Sequence, residues 1–320
     1  MTSDVRWKMR LLDSLLLFAW AITCGSRELE AQPDRAVVAY SQTINTGGAA
    51  LQIDFTEGSF DLTRTAVVER IQMAAHAVVT YYGHFPVPRV RILVIPVARR
   101  HGVLQGTTWG NMSGSPAFMR LRIGALTTRD ELKMDWVITH ELVHTALASL
   151  PDDQSWLEEG LASYIEPIAR AQAGELSAES VWADMVRGMP NGEPEEGDRG
   201  LNRTHTWGRT YWGGALFCLV ADVEIRRQTG NRRGLQDALR GIVASGATID
   251  KEWSLERVLG AGDRATGTHV LLEMYAKWSV TPVPVDLPQL WNQLGVRLEN
   301  GTVRFVSSAS LAGIRQAITN

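Results

Sequence analysis

The run "WVITHELVHTALASL", residues 136–150, is apolar enough to be a buried helix, yet it carries His140, Glu141 and His144. Four residues advance an α-helix by about 400°, so the two His lie one above the other on a single face. Two imidazoles and a carboxylate are costly to bury without a shared partner. A metal ion supplies one. Two rings one turn apart grip a tetrahedral zinc, and Glu141, next to the first ring, reaches a water on the metal without itself being a ligand. Zinc brings that water near neutrality, where a carboxylate can take its proton.

A catalytic zinc takes three protein ligands and keeps one open position. The third ligand is expected from the next helix, "SWLEEGLASYIEP", which carries Glu158 and Glu159 just before Gly160. Asp152, Asp153 and Ser155 are expected to cap its start after Pro151, and Gly160 to let the two helices approach closely.

The remaining chain bounds the reading. Of 320 residues, 45% are hydrophobic and 21% charged, and the net charge is −3, which describes a globular chain without a field for nucleic acid. Eleven Trp could line a cleft, although core packing is the commoner use. Arg6, Lys8 and Arg10 precede the apolar run at 11–23, too short to span a membrane and about right for a signal peptide; Met9 offers a shorter start. An exported, periplasmic or secreted protein is therefore expected. Cys24 raises a lipoprotein reading, but Ala21-Ile22-Thr23 is a poor lipobox. With the leader removed, Cys218 is the sole cysteine and no disulfide forms.

Patterning divides the chain into a signal peptide (1–31), an N-terminal α/β sheet lobe (32–129), a helical lobe with the site (130–280) and a C-terminal extension on the same domain (281–320). Strands are expected within 35–60, around a turn at Gly47-Gly48, and at 89–97 and 119–126, with a loop at "GNMSGSP". Helices are expected at 62–82, 130–149, 154–172, 176–187, 206–229, 232–245, 250–259 and 267–278. A last helix, the strand "TVRFV" and a terminal helix close the chain. The Gly/Pro-rich stretch 188–204, with its acidic "EPEEGD", reads as a solvated loop able to cover the cleft.

His140-Glu141-x-x-His144 followed by Trp156-Leu157-Glu158-Glu159-Gly160-Leu161-Ala162-Ser163-Tyr164 resembles the gluzincin metallopeptidases, and among them the aminopeptidase N-type and glycyl-aminopeptidase-type catalytic domains. The resemblance implies an α+β, thermolysin-like fold, with a small mixed sheet lobe, a helical lobe and zinc in the crevice. It puts the third ligand at Glu159, directly before Gly160. Glu158 falls on a position that is not a ligand and is free to face solvent or hold a ligand His. The family's Tyr-x-Lys-Gly segment maps onto Tyr211-Trp212-Gly213-Gly214, which makes Tyr211 the donor to the oxyanion. The chain departs from the pattern in three ways. Its His144–Glu159 interval is shorter, Gly213 replaces the Lys, and no Gly-x-Met-Glu-Asn segment is present to anchor a free amino group.

The implied activity is zinc-dependent hydrolysis of peptide bonds in a peptide or protein substrate, held by strand addition along an edge near 119–126. The rival is a non-catalytic, peptidase-like binding protein that keeps the zinc scaffold. His76, His84, His101, His205 and His269 lack ligand spacing, and His205 alone lies near the Tyr211 segment. Glu166 is weighed as an orienter of a His against a solvated helix position. Asn111, Asn202 and Asn300 carry the glycosylation pattern. No stable membrane span is expected, and the oligomeric state is left open.

Overall fold

The computed structural model describes residues 36–320. The leader read at 1–31, Met9 and Cys24 lie outside the described residues. Five strands form one mixed sheet: β1 (Val38–Thr46), β2 (Ala49–Thr56), β3 (Arg89–Val97), β4 (Val103–Met112) and β5 (Ser115–Gly124), in the order β1-β2-β3-β5-β4. The three inner strands run parallel, and the edge strands β1 and β4 are each antiparallel to their neighbour. Inner-strand runs such as Ile92, Leu93 and Val94 are buried, as a strand covered on both faces requires.

Helix α1 (Arg64–Tyr82) connects β2 to β3, a length that matches the helical spacing at 62–82. Thr63 caps it by accepting from Ala66 N, and Gly83, at φ 86°, ends it in the left-handed region. Its buried face, including Val67, Ile71, Ala74, Ala75 and Val78, belongs to the one core that also contains the sheet and the later helices.

The expected single helix over 130–149 is two helices, α2 (Arg129–Met134) and α3 (Val137–Val143), followed by a 3-10 turn at His144–Ala146. Asp135 causes the break. Its backbone is extended, and its Oδ2 accepts from Ile138 N at 3.0 Å, capping the new helix. His144 keeps helical dihedrals, so the four-residue spacing to His140 survives.

Helix α4 (Ser155–Gln172) follows a 3-10 turn at Asp152–Gln154, and its N-cap position is Gln154, which makes no side-chain cap. Next come α5 (Ala178–Gly188), a π-turn at Gly208–Gly213, α6 (Gly214–Gln228), α7 (Leu235–Ala244), α8 (Leu255–Thr266) and α9 (Val270–Trp278). The helix expected at 250–259 thus starts later, where Ser254 caps it. Helix α10 (Leu287–Leu294), a hairpin of β6 (Val296–Glu299) and β7 (Thr302–Phe305), and α11 (Ala312–Thr319) complete the fold. Among the described residues no helix is long and apolar enough to cross a membrane. Cys218 is buried as a free thiol.

Gly160 does its work against a different partner from the one expected. A Cβ on it would stand 2.3 Å from both Cα and C of Gly214, so the close approach is between α4 and α6 rather than between α4 and α3. Gly214 is equally constrained, since its Cβ would meet Trp156 O at 2.0 Å. An Ala at 160 gains about 0.8–1.0 kcal/mol of helix propensity. Against this stands an overlap with backbone, which cannot rotate away; overpacking of this kind costs about 1–3 kcal/mol and occasionally more. Gly160→Ala is expected to lower stability by about 2 kcal/mol, read as an earlier midpoint in urea unfolding.

The stretch 188–204 is tied down. Asp198 and Arg209 form a buried ion pair at 2.7 Å, and Arg209 also donates to Gly192 O. Glu193 accepts from Val285 N at 3.1 Å, while Glu195 and Glu196 stay exposed. Gly188 and Gly192 sit against Trp212, which locks this strap onto the π-turn. Of the glycosylation-pattern residues, Asn202 is engaged inside the fold, accepting from Trp156 Nε1 at 2.7 Å and donating to Tyr275 Oη at 3.3 Å. Asn111 and Asn300 are exposed.

Candidate metal centre

Helix α3 and the 3-10 turn that follows it present His140 and His144, with ring centroids 5.0 Å apart and planes at 82°. Helix α4 brings Glu159 to them. Its Oε2 lies 3.1 Å from His140 Nε2 and 3.7 Å from His144 Nε2. Donors held 2.0–2.1 Å from a zinc at tetrahedral angles sit about 3.3–3.4 Å from one another. The two distances bracket that spacing, and two imidazoles with a carboxylate are a donor set suited to zinc. The residues therefore fit the ion that the sequence implies.

A carboxylate oxygen of Glu141 also lies within 4.8 Å of both imidazole ligand atoms. The two carboxylates differ in electrostatics. Burial pushes Glu141 up to about 7, partly opposed by His140. Burial would raise Glu159 too, but His144 and His140 beside it, with a hydrogen bond from Tyr211, hold it below the usual carboxylate range. The imidazoles diverge as well. Burial lowers His144 to about 4, whereas for His140 the contact with Glu159 outweighs burial and raises it.

Tyr211 comes from the π-turn ahead of α6, a distortion often found at functional sites. Its ring stacks on His140 at 6.4 Å and on Trp207 at 6.1 Å. Burial and the carboxylates of Glu159 and Glu141 raise its hydroxyl, which stays protonated and able to donate. Trp136, one turn before His140 on α3, packs edge-on against it at 5.3 Å. All five sequence-selected residues thus meet in one place.

The adjacent acids have separate tasks. Glu158 points back and accepts from Leu150 N at 2.8 Å, fixing the link between the 3-10 turn after α3 and α4. Glu166 is neither solvated nor on a ring nitrogen. It is buried and bound to Arg170 at 2.8 Å, in a chain of charges that continues through Glu175 to Arg70. Arg70 donates to Asp135 O at 2.7 Å and so braces the start of α3. Among the described residues His140 Nδ1 has no hydrogen-bond partner. His205 is exposed on the segment before the π-turn.

Two elements escape the sequence reading. The edge strand next to the site is β4, and the expected edge at 119–126 belongs to β5, which lies inside the sheet between β3 and β4. β4 also contributes Thr108, whose Oγ1 lies 2.8 Å from Glu141 Oε2.

No protein-family model matches the chain, and no curated protein matches it by sequence. Solved structures do resemble it. An aminopeptidase N family protein from Idiomarina loihiensis superposes with a TM-score of 0.61 at 12% identity, over 84% of this chain and 52% of that one. An M1 zinc metallopeptidase from Deinococcus radiodurans gives a TM-score of 0.48 at 15% identity, over 78% of this chain and 52% of that one. The chain spans about half the length of these structures. The first likeness is one of fold: a mixed sheet followed by a helical part, arranged as in the aminopeptidase N family protein.

Proposed function

We propose that the chain is a zinc-dependent metallopeptidase, with His140, His144 and Glu159 as the metal ligands, Glu141 as general base and Tyr211 as oxyanion donor. One observation carries this reading: a single Glu159 oxygen stands 3.1 and 3.7 Å from two imidazole nitrogens, at the spacing of donors around one tetrahedral ion. A zinc ion held there supplies a Lewis acid that acidifies water and polarises a carbonyl.

Everything else falls to the chain's own groups. Glu141 takes the proton from the attacking water and passes it to the leaving nitrogen. Its carboxylate, buried within 4.8 Å of both imidazole donors, is placed for this shuttle. Tyr211 donates a hydrogen bond from its phenol to the substrate oxygen as negative charge builds there. β4 is the sheet edge beside these groups and offers backbone pairing to an extended substrate. The charged, apolar N-terminus supports the accompanying proposal of export.

The test is cleavage of casein or a quenched peptide by the purified chain, with and without chelator, beside a zinc determination. Chelator-sensitive turnover with one zinc per chain supports the reading. One zinc without turnover favours the binding-protein rival, and no zinc removes both. For Tyr211→Phe, kcat is expected to fall about 100- to 1000-fold with little change in KM, the loss seen when one oxyanion donor is removed. Steady-state kinetics on the same peptide measures it.

A further inference from the structure

Glu141 is held from the sheet as well as from its own helix. Thr108 Oγ1 lies 2.8 Å from Glu141 Oε2 and 3.0 Å from Glu141 O. A hydroxyl has one proton, so it serves one of these oxygens at a time, and the carboxylate is the stronger acceptor. Gly106 meets the same side chain. A Cβ at that position would stand 2.4 Å from Glu141 Cγ and 2.9 Å from both Cδ and Oε1. Residues 106 and 108 are two apart on β4 and therefore face the same side of the sheet. One short piece of strand both tethers the carboxylate and leaves it room.

Such a tether has a clear use. A glutamate has three rotatable side-chain bonds, and an unrestrained carboxylate spreads over several rotamers. A proton-transfer group acts only within about 2.6–3.2 Å of its proton, so time spent elsewhere is lost to the reaction. We propose that Thr108 is a positioning residue for Glu141: its hydroxyl occupies Oε2 and fixes the carboxylate so that the other oxygen takes the proton, with Gly106 providing the clearance. The proposal rests on the peptidase reading above and assigns a role to a strand residue outside the zinc and proton-transfer set.

The experiment compares full-length, zinc-loaded wild type, Thr108→Val and Thr108→Ser. Val keeps the shape and loses the hydroxyl; Ser keeps the hydroxyl and loses a methyl. Thr108→Val is expected to lose about 10- to 100-fold in kcat, as when an outer partner of a site is removed, with KM and zinc content little changed. Thr108→Ser is expected to retain most of the activity. Crystal structures of wild type and Thr108→Val are expected to show the Glu141 carboxylate displaced in the variant. Equal losses in the Val and Ser variants, or an unmoved carboxylate with unchanged kcat in Thr108→Val, overturn the proposal. Should Thr108→Val fail to fold, Thr108→Ala carries the test beside Thr108→Ser, with the same displacement and loss expected. If wild-type protein turns over no peptide, the peptidase reading falls, while the position of the carboxylate in the two structures still decides what Thr108 does.

Discussion

Glu141→Gln is expected to keep its zinc and lose its turnover. The amide is nearly the size of the acid and still offers an oxygen to Thr108 Oγ1, now 2.8 Å from Glu141 Oε2, so the local packing survives. What disappears is a carboxylate able to accept a proton. General acid–base catalysis contributes about 100- to 10,000-fold, and kcat should fall by that factor. The proposed ligand set does not include Glu141, so zinc stoichiometry measured by atomic spectroscopy stays at one. The pair of readouts is what makes the variant decisive. Retained turnover removes Glu141 as the base. Lost zinc makes Glu141 a ligand, in place of or beside Glu159, and its oxygen within 4.8 Å of both imidazole donors makes that outcome a real alternative.

The stacking of His140 over His144 was legible because a helix repeats every 3.6 residues and needs no other element to bring one over the other. Two carboxylates at 158 and 159 could not be separated by spacing alone; the resemblance chose between them, and the fold shows Glu158 turned onto Leu150 N instead. β4 stayed hidden for a physical reason. Each of its residues from Val103 to Gly110 is half-buried, so the alternation that marks a strand is absent. Its glycines, which read locally as loop, answer distant contacts: Gly106 clears Glu141, and Gly110 lies where a Cβ would strike Ile249 O at 2.1 Å. Thr108 shares that origin. A lone Thr gives no signal until a strand some thirty residues earlier in the chain is laid beside the helix. The Asp135 break is hidden in the sequence because helix-forming residues stand on either side, "RDELKM" before it and "VITHELV" after it, yet its carboxylate caps α3 and Arg70 anchors its carbonyl. Gly160 announced a close contact correctly but could not name its partner, which lies more than fifty residues further along at Gly214.

Exchanging one of two neighbouring acids should separate their functions outright. Glu159→Gln is expected to lose stoichiometric zinc and essentially all turnover, whereas Glu158→Gln keeps both. The neutral amide at 159 removes the one anionic donor from the proposed set, leaving two imidazoles that each gain less from a shared ion. Lewis-acid assistance is worth several kcal/mol of transition-state stabilisation, and each 1.36 kcal/mol is tenfold in rate, so the loss should reach about 1000-fold or more. At 158 the substitution keeps an oxygen for Leu150 N and weakens that hydrogen bond, one such bond being worth about 0.5–1.5 kcal/mol. Zinc content, peptide turnover and urea midpoints on the two variants give six numbers from one experiment. A Glu159→Gln protein that folds and still holds one tight zinc would mean that Glu159 is not a ligand. In that case the 3.1 and 3.7 Å contacts are those of a carboxylate beside a zinc held by other groups.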